Sequence, residues 1–105
     1  MNKYAHGMVV AAQPEAVEAG ASVLRAGGNA VDAAIAGAVL LGICEPQMTG
    51  LGGDMFALIQ KDPSADVVAL NGSGRAPQAA NATALRAKGL STIPLHSAEA
   101  ITVPG

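Results

Sequence analysis

"PQMTGLGGDMF", residues 46–56, sets Pro46, Gly50, Gly52 and Gly53 between an apolar, helix-like stretch and an apolar, strand-like one. Such a cluster can cradle a phosphate, let two backbones approach, or turn a corner. Its flanks separate these uses. A dinucleotide loop follows a strand and opens a helix, because the helix N-terminus must face the pyrophosphate. Here "TGLGGD", residues 49–54, follows the helix-like run and opens the strand-like one, and no Lys-Ser or Lys-Thr pair supplies a P-loop. The cluster therefore reads as a tight corner, with glycines at positive φ where side chains would clash. On that basis Gly52→Val is expected to disrupt folding or maturation.

Upstream of the corner, Asn29 is a good N-cap and Asp32, three residues on, can return a carboxylate to the free amide. A helix is predicted over Ala30–Cys44. It is apolar nearly all round after Asp32 and slim with alanine and glycine, the pattern of a central helix. Its uninterrupted apolar run, Ala33–Cys44, is 12 residues, short of the roughly 20 that a bilayer requires, so no membrane role is expected. An earlier helix, Pro14–Ala26, is marked by Pro14 in its first turn, Glu15 and Glu18 near its positive end, and Gly27-Gly28 as its stop. Val17, Ala21 and Leu24 form its predicted buried face. His6–Ala12 reads as a short buried strand.

Downstream, Met55–Ile59 and Val67–Leu70 form a β-hairpin around a polar turn. "NGSGRAP", residues 71–77, is a second glycine-rich loop, and Asn81–Lys88 a short exposed helix closed by Gly89. "ITVPG", residues 101–105, stops where a strand or turn should begin, so the chain reads as cut. The fold class is α/β (α+β), and 105 residues set a ceiling of one domain.

Composition narrows the function. Six Lys plus Arg against eight Asp plus Glu give a net charge of −2, with aromatics at 2 %; without a basic run or a stacking ladder, nucleic acid is not an expected partner. The single Cys44 cannot close an internal disulfide and reads as a small buried hydrophobe. His6, His96, Cys44, Asp32, Glu45 and Asp54 lack ligand spacing, so no metal and no cofactor is expected. Ser73, His96 and Asp54 could be assembled into a triad, but no nucleophile elbow surrounds the serine. No signal peptide is visible at the N-terminus, which makes a cytoplasmic address the default expectation.

The ordered string "GGNAVDAA" at 27–34, "EP" at 45–46, "TGLGGDMF" at 49–56, "LNGSGRAP" at 70–77 and "VPG" at 103–105 resembles the start of the large subunit of the gamma-glutamyltransferase (gamma-glutamyltranspeptidase) family, over residues 7–105. The resemblance implies a four-layer αββα sandwich of the N-terminal-nucleophile hydrolase type, made by self-cleavage of one precursor. It implies a small subunit as partner and a small gamma-glutamyl or related amide as substrate. The nucleophile would be a threonine opening the small subunit, with its α-amino group as base, so no catalytic residue is expected in this chain. In the family an Arg within a pattern like "REMAP" holds the substrate α-carboxylate. Aligned on Pro77 that Arg falls on Ser73, while Arg75 stands at a usually apolar position. The candidate substrate-binding residues are thus Arg75 and Ser73. Two accounts stay open. Arg75 reaches the carboxylate from two residues further along, a shift of about 6 to 7 Å on the same face of an extended chain, or the pocket takes another acyl amide, such as an oxamate-like one. A structural Arg75 paired with Asp54 belongs to the second account. Outside enzymes, an alanine-rich domain packing against a partner is the alternative.

Overall fold

Pro14 and the Gly27-Gly28 pair bound the first helix as their chemistry requires. A computed structural model, which describes residues 7–105, places α1 at Pro14–Arg25, closed where Gly27 takes φ +90° and Gly28 N–H donates to the Val23 carbonyl at 2.9 Å. Glu18 and Arg25 pair on its solvent side. Helix α2 spans Ala30–Cys44. The Asn29 side chain accepts from Val31 N and Asp32 N, both at 2.9 Å, and Asp32 returns to Asn29 N, which completes the expected capping box.

The two helices form a hairpin within the first of two compact units, Met1–Leu51 and Gly52–Gly105. Gln13 Nε2 donates to Glu45 Oε1 at 2.6 Å, tying the start of α1 to the end of α2. The interface is built from the smallest side chains: Ala16 and Gly20 of α1 and Ala33 and Gly37 of α2 are the buried residues. Val17, Ala21 and Leu24, the predicted buried face, are only half-buried. Close backbone approach selects residues without bulk, and the larger apolar side chains flank the seam.

The two interface glycines differ in what they tolerate. A Cβ at Gly20 would lie 2.9 Å from Val9 Cγ1 and 3.0 Å from the Ala33 carbonyl oxygen, whereas one at Gly37 would lie 3.3 Å from the Ala16 oxygen. Alanine gains about 0.5–1 kcal/mol over glycine inside a helix. At Gly37 that gain outweighs a small adjustment, so Gly37→Ala should stay within about 0.5 kcal/mol of the parent or stabilise it. At Gly20 the helix backbone of Ala33 cannot retreat, and Gly20→Ala should cost about 1 kcal/mol net, within the range for overpacking. Denaturant titration of the two variants in the full-length protein measures the contrast.

Helix α2 departs from its reading as a central helix. Val31, Ile35, Val39 and Ile43 recur every fourth residue along one side and are 40 to 72 % exposed. Cys44 is likewise exposed, not buried, because α1 covers only the Ala33–Gly37 side. The predicted strand at His6–Ala12 is also corrected: residues 7–11 carry no regular element, since no neighbouring strand pairs with them, and His6 lies outside the described residues. No helix is long and apolar enough to cross a membrane among the described residues.

In the second unit β1 (Met55–Ile59) pairs antiparallel with β2 (Val68–Gly72), in register from Met55 opposite Gly72 to Ile59 opposite Val68. Strand β2 thus takes up Asn71 and Gly72, which the sequence assigns to a loop, because Phe56 and Met55 still offer backbone partners to them. In the connecting turn Asp62 accepts from Ser64 Oγ at 2.5 Å and Ser64 N at 2.9 Å. The Ser64 hydroxyl first, then its N–H, hold the Asp62 carboxyl below its ordinary pKa; that contribution is full above the usual Asp range and is lost as pH falls through the lowered folded value. Helix α3 spans Ala82–Ala87, capped by Asn81 and ended at Gly89 with φ +80°, and Ala98–Ala100 is a 3-10 turn. Lys88 Nζ lies 3.2 Å from Glu99 Oε1 and joins α3 to that turn.

The glycine corner of residues 50–53 needs correcting. Neither Gly50 nor Gly52 has positive φ, and a Cβ on either meets nothing within 4 Å. Among the described residues, a Cβ at position 52 has room. The close passages lie instead in the second glycine loop.

Candidate functional site

That loop leaves the hairpin at the Met55–Gly72 pair, where the strand ladder ends. Beyond it the backbone must find partners one group at a time. Asn71 Oδ1 accepts from Ser73 N at 3.0 Å. Asp54 Oδ1 accepts from Gly74 N at 2.9 Å, across a sequence separation of 20. The Arg75 carbonyl accepts from Val103 N at 2.9 Å. Three consecutive residues are therefore each pinned by a different element.

Glycine is needed on the inner side of this loop. A Cβ at Gly72 would lie 2.7 Å from the Met55 oxygen, and one at Gly74 would overlap the Val103 oxygen and sit 2.6 Å from Thr102 Oγ1. From Asn71 to Arg75 exposure alternates, with Gly72 and Gly74 half-covered and Asn71, Ser73 and Arg75 open. Alternation is the signature of extended chain. The two sequence candidates, Ser73 and Arg75, are thus brought out on the solvent side of a pinned segment.

Arg75 forms no ion pair among the described residues. The Asp54–Arg75 pairing considered from the sequence is not made among the described residues; Asp54 Oδ1 accepts from the Gly74 N–H instead. Ser73 Oγ reaches the Gly74 carbonyl at 3.4 Å, and neither it nor Asp54 bonds His96 among the described residues, so no triad forms. No group of three or more His, Cys, Asp or Glu side chains gathers as metal ligands among the described residues. A shallow apolar depression on the hairpin, lined by Phe56, Leu58, Ala69 and Leu70, meets the loop at Asn71.

Chemically, the loop offers one guanidinium without an ion pair among the described residues and one hydroxyl, both from a fixed backbone. A guanidinium with five donors and no internal partner suits a carboxylate. It offers no nucleophile with a base beside it. Sequence reasoning missed Asp54, Asn71, Thr102 and Val103 as the builders of this loop; Asp54 immediately ahead of a strand was the one available signal.

Residues 16–105 match the family model described as gamma-glutamyltranspeptidase. The glutathione hydrolase-like YwrD proenzyme of Bacillus subtilis (strain 168) is 46 % identical over 109 aligned positions, covering 100 % of this chain and 20 % of that protein. The oxamate amidohydrolase proenzyme of Klebsiella pneumoniae is 41 % identical over 75, covering 71 % of this chain and 14 % of that protein. The solved gamma-glutamyltranspeptidase from Pseudomonas nitroreducens, complexed with L-DON, superposes with a TM-score of 0.83 at 32 % identity, over 96 % of this chain and 30 % of that one. The chain therefore spans about a fifth or less of the curated relatives described and carries part of their fold, α/β of the N-terminal-nucleophile hydrolase type. On the family match and these likenesses, the chain belongs to the gamma-glutamyltranspeptidase family.

Proposed function

We propose that this chain is the opening part of the large subunit of a self-processed enzyme that hydrolyses or transfers the acyl group of an amide whose acyl half carries a carboxylate, a gamma-glutamyl compound first. The family membership supports the reaction class, and the free Arg75 guanidinium on its pinned loop carries the assignment of substrate. The partner is the small subunit of the same precursor. Its terminal threonine hydroxyl attacks the amide carbonyl, the amine leaves with a proton, and water or an acceptor amine then takes the acyl group from the ester. Residues 7–105 contribute one wall of the acyl pocket, through Arg75 and Ser73.

The likeness to an oxamate amidohydrolase supports a second substrate. In oxamate the carboxylate is one bond from the reacting carbonyl, whereas in a gamma-glutamyl group it is four bonds away, roughly 5 Å in extended form. One cation cannot serve both equally. The full-length protein should separate into two bands on a denaturing gel, with threonine at the N-terminus of the smaller by mass spectrometry, and should release amine from gamma-glutamyl para-nitroanilide faster than ammonia from oxamate. An unprocessed, inactive single chain would remove the enzymatic reading and leave the alternative of a packing domain.

A further inference from the structure

We propose that Asp54 is a positioning residue for Arg75: by holding the Gly74 N–H, its carboxylate sets the direction in which the loop presents Arg75 to the substrate carboxylate. The proposal rests on the reading of Arg75 as substrate-binding. Of the three bonds that fix residues 73–75, that from Asn71 spans only two residues and governs local curvature. The bond from Val103 acts at the carbonyl of Arg75 itself. Only Asp54 ties the loop back to the residue that precedes β1, and it does so with a charged acceptor, the stronger kind.

The same contact has a second consequence. An aspartate within reach of this loop could instead neutralise the guanidinium, and an ion-paired Arg75 would have to release its partner before accepting a substrate. In the structure the carboxylate faces the backbone N–H of Gly74 rather than the guanidinium. Arg75 is left without an ion pair among the described residues. The glycine at position 74 permits the arrangement, since a side chain there would meet Thr102 and Val103.

The test uses the full-length, processed protein and steady-state kinetics on gamma-glutamyl para-nitroanilide and on oxamate, taking whichever amide the wild type turns over. Asp54→Ala should raise KM about tenfold while kcat changes less than about twofold, because the misplaced group binds substrate and does no chemistry. Asp54→Asn keeps an oxygen acceptor at the same place and should return KM to within about threefold of wild type. Asp54→Glu keeps the charge but displaces the oxygen, and should resemble Asp54→Ala. In an Arg75→Ala background, Asp54→Ala should add nothing further to KM.

Positioning is overturned if Asp54→Ala or Asp54→Glu leaves KM unchanged, if Asp54→Asn fails to restore it, or if the Asp54 and Arg75 effects multiply. Should Asp54→Ala fail to mature, the contrast between Asp54→Asn and Asp54→Glu decides alone. Failure of the underlying reading looks different: Arg75→Ala itself then leaves KM unchanged, or neither amide is turned over, and the proposal falls with it.

Discussion

Produced by itself, the 105-residue chain should show no cooperative unfolding transition. It exposes 8561 Å², against about 5,400 Å² expected of a folded monomer of its size. The excess is about 3,200 Å², so much of the apolar surface that folding normally removes from water stays exposed. Net stabilities are only about 5–15 kcal/mol. Ala16 and Ala33 are the buried apolar residues described, and no residue of Gly52–Gly105 is buried. Circular dichroism during urea titration should give a broad, shallow loss of helix, with strong binding of a hydrophobic dye in the absence of urea. A sharp sigmoid with no dye binding would contradict this account of the exposed stripe on α2 and the exposed Phe56 and Leu58 of β1.

Gly74→Val should be strongly damaging to the hairpin unit, at about 3 kcal/mol, the upper part of the range for overpacking. Its Cβ is directed at the Val103 carbonyl oxygen and at Thr102. Backbone cannot rotate aside as a side-chain tip can. The strand end would separate from residues 102–103 and release the Val103–Arg75 bond, so the loop would lose its inner anchor together with its packing. Gly52→Val is the comparison: within residues 7–105 a Cβ at position 52 meets nothing within 4 Å, so this part of the fold opposes a valine there far less than at position 74. Thermal melting and the extent of self-cleavage in the full-length protein report both. Equal damage from the two valines would show that the crowding at Gly74 is not what distinguishes the glycine loops.

These two results bear on what the sequence could reveal. Both helix starts were legible because capping is local: Asn29 and Asp32 sit three residues apart, and Pro14 lies at the first helical position. The hairpin was legible for a similar reason, two apolar runs around a polar turn. The second glycine loop was recognisable as a loop, but its function as the close passage was not. Gly50, Gly52, Gly72 and Gly74 look alike in sequence, and what separates them is a backbone from residues 55 or 102–103 that only the fold delivers. Asp54 escaped for the same reason, as its partner is a main-chain N–H twenty residues away that leaves no trace in side-chain identity. Cys44 and α2 were misread because an apolar sequence states a preference for burial, while burial itself needs covering layers that residues 7–105 do not supply. Arg75 and Ser73 are candidates from the family motif alone, and residues 71–75 alternate in exposure with both of them on the open side.

If the guanidinium of Arg75 holds a substrate carboxylate, a pair of substrates differing only in that group shows it most directly. In the processed full-length protein, kcat/KM is compared for gamma-glutamyl para-nitroanilide and its decarboxylated counterpart, the gamma-aminobutyryl anilide. Wild type should prefer the carboxylate-bearing compound by roughly 10- to 100-fold, the worth of one charge-assisted pair. Arg75→Ala should erase that preference by slowing only the glutamyl compound. A preference that survives the substitution intact would contradict the assignment.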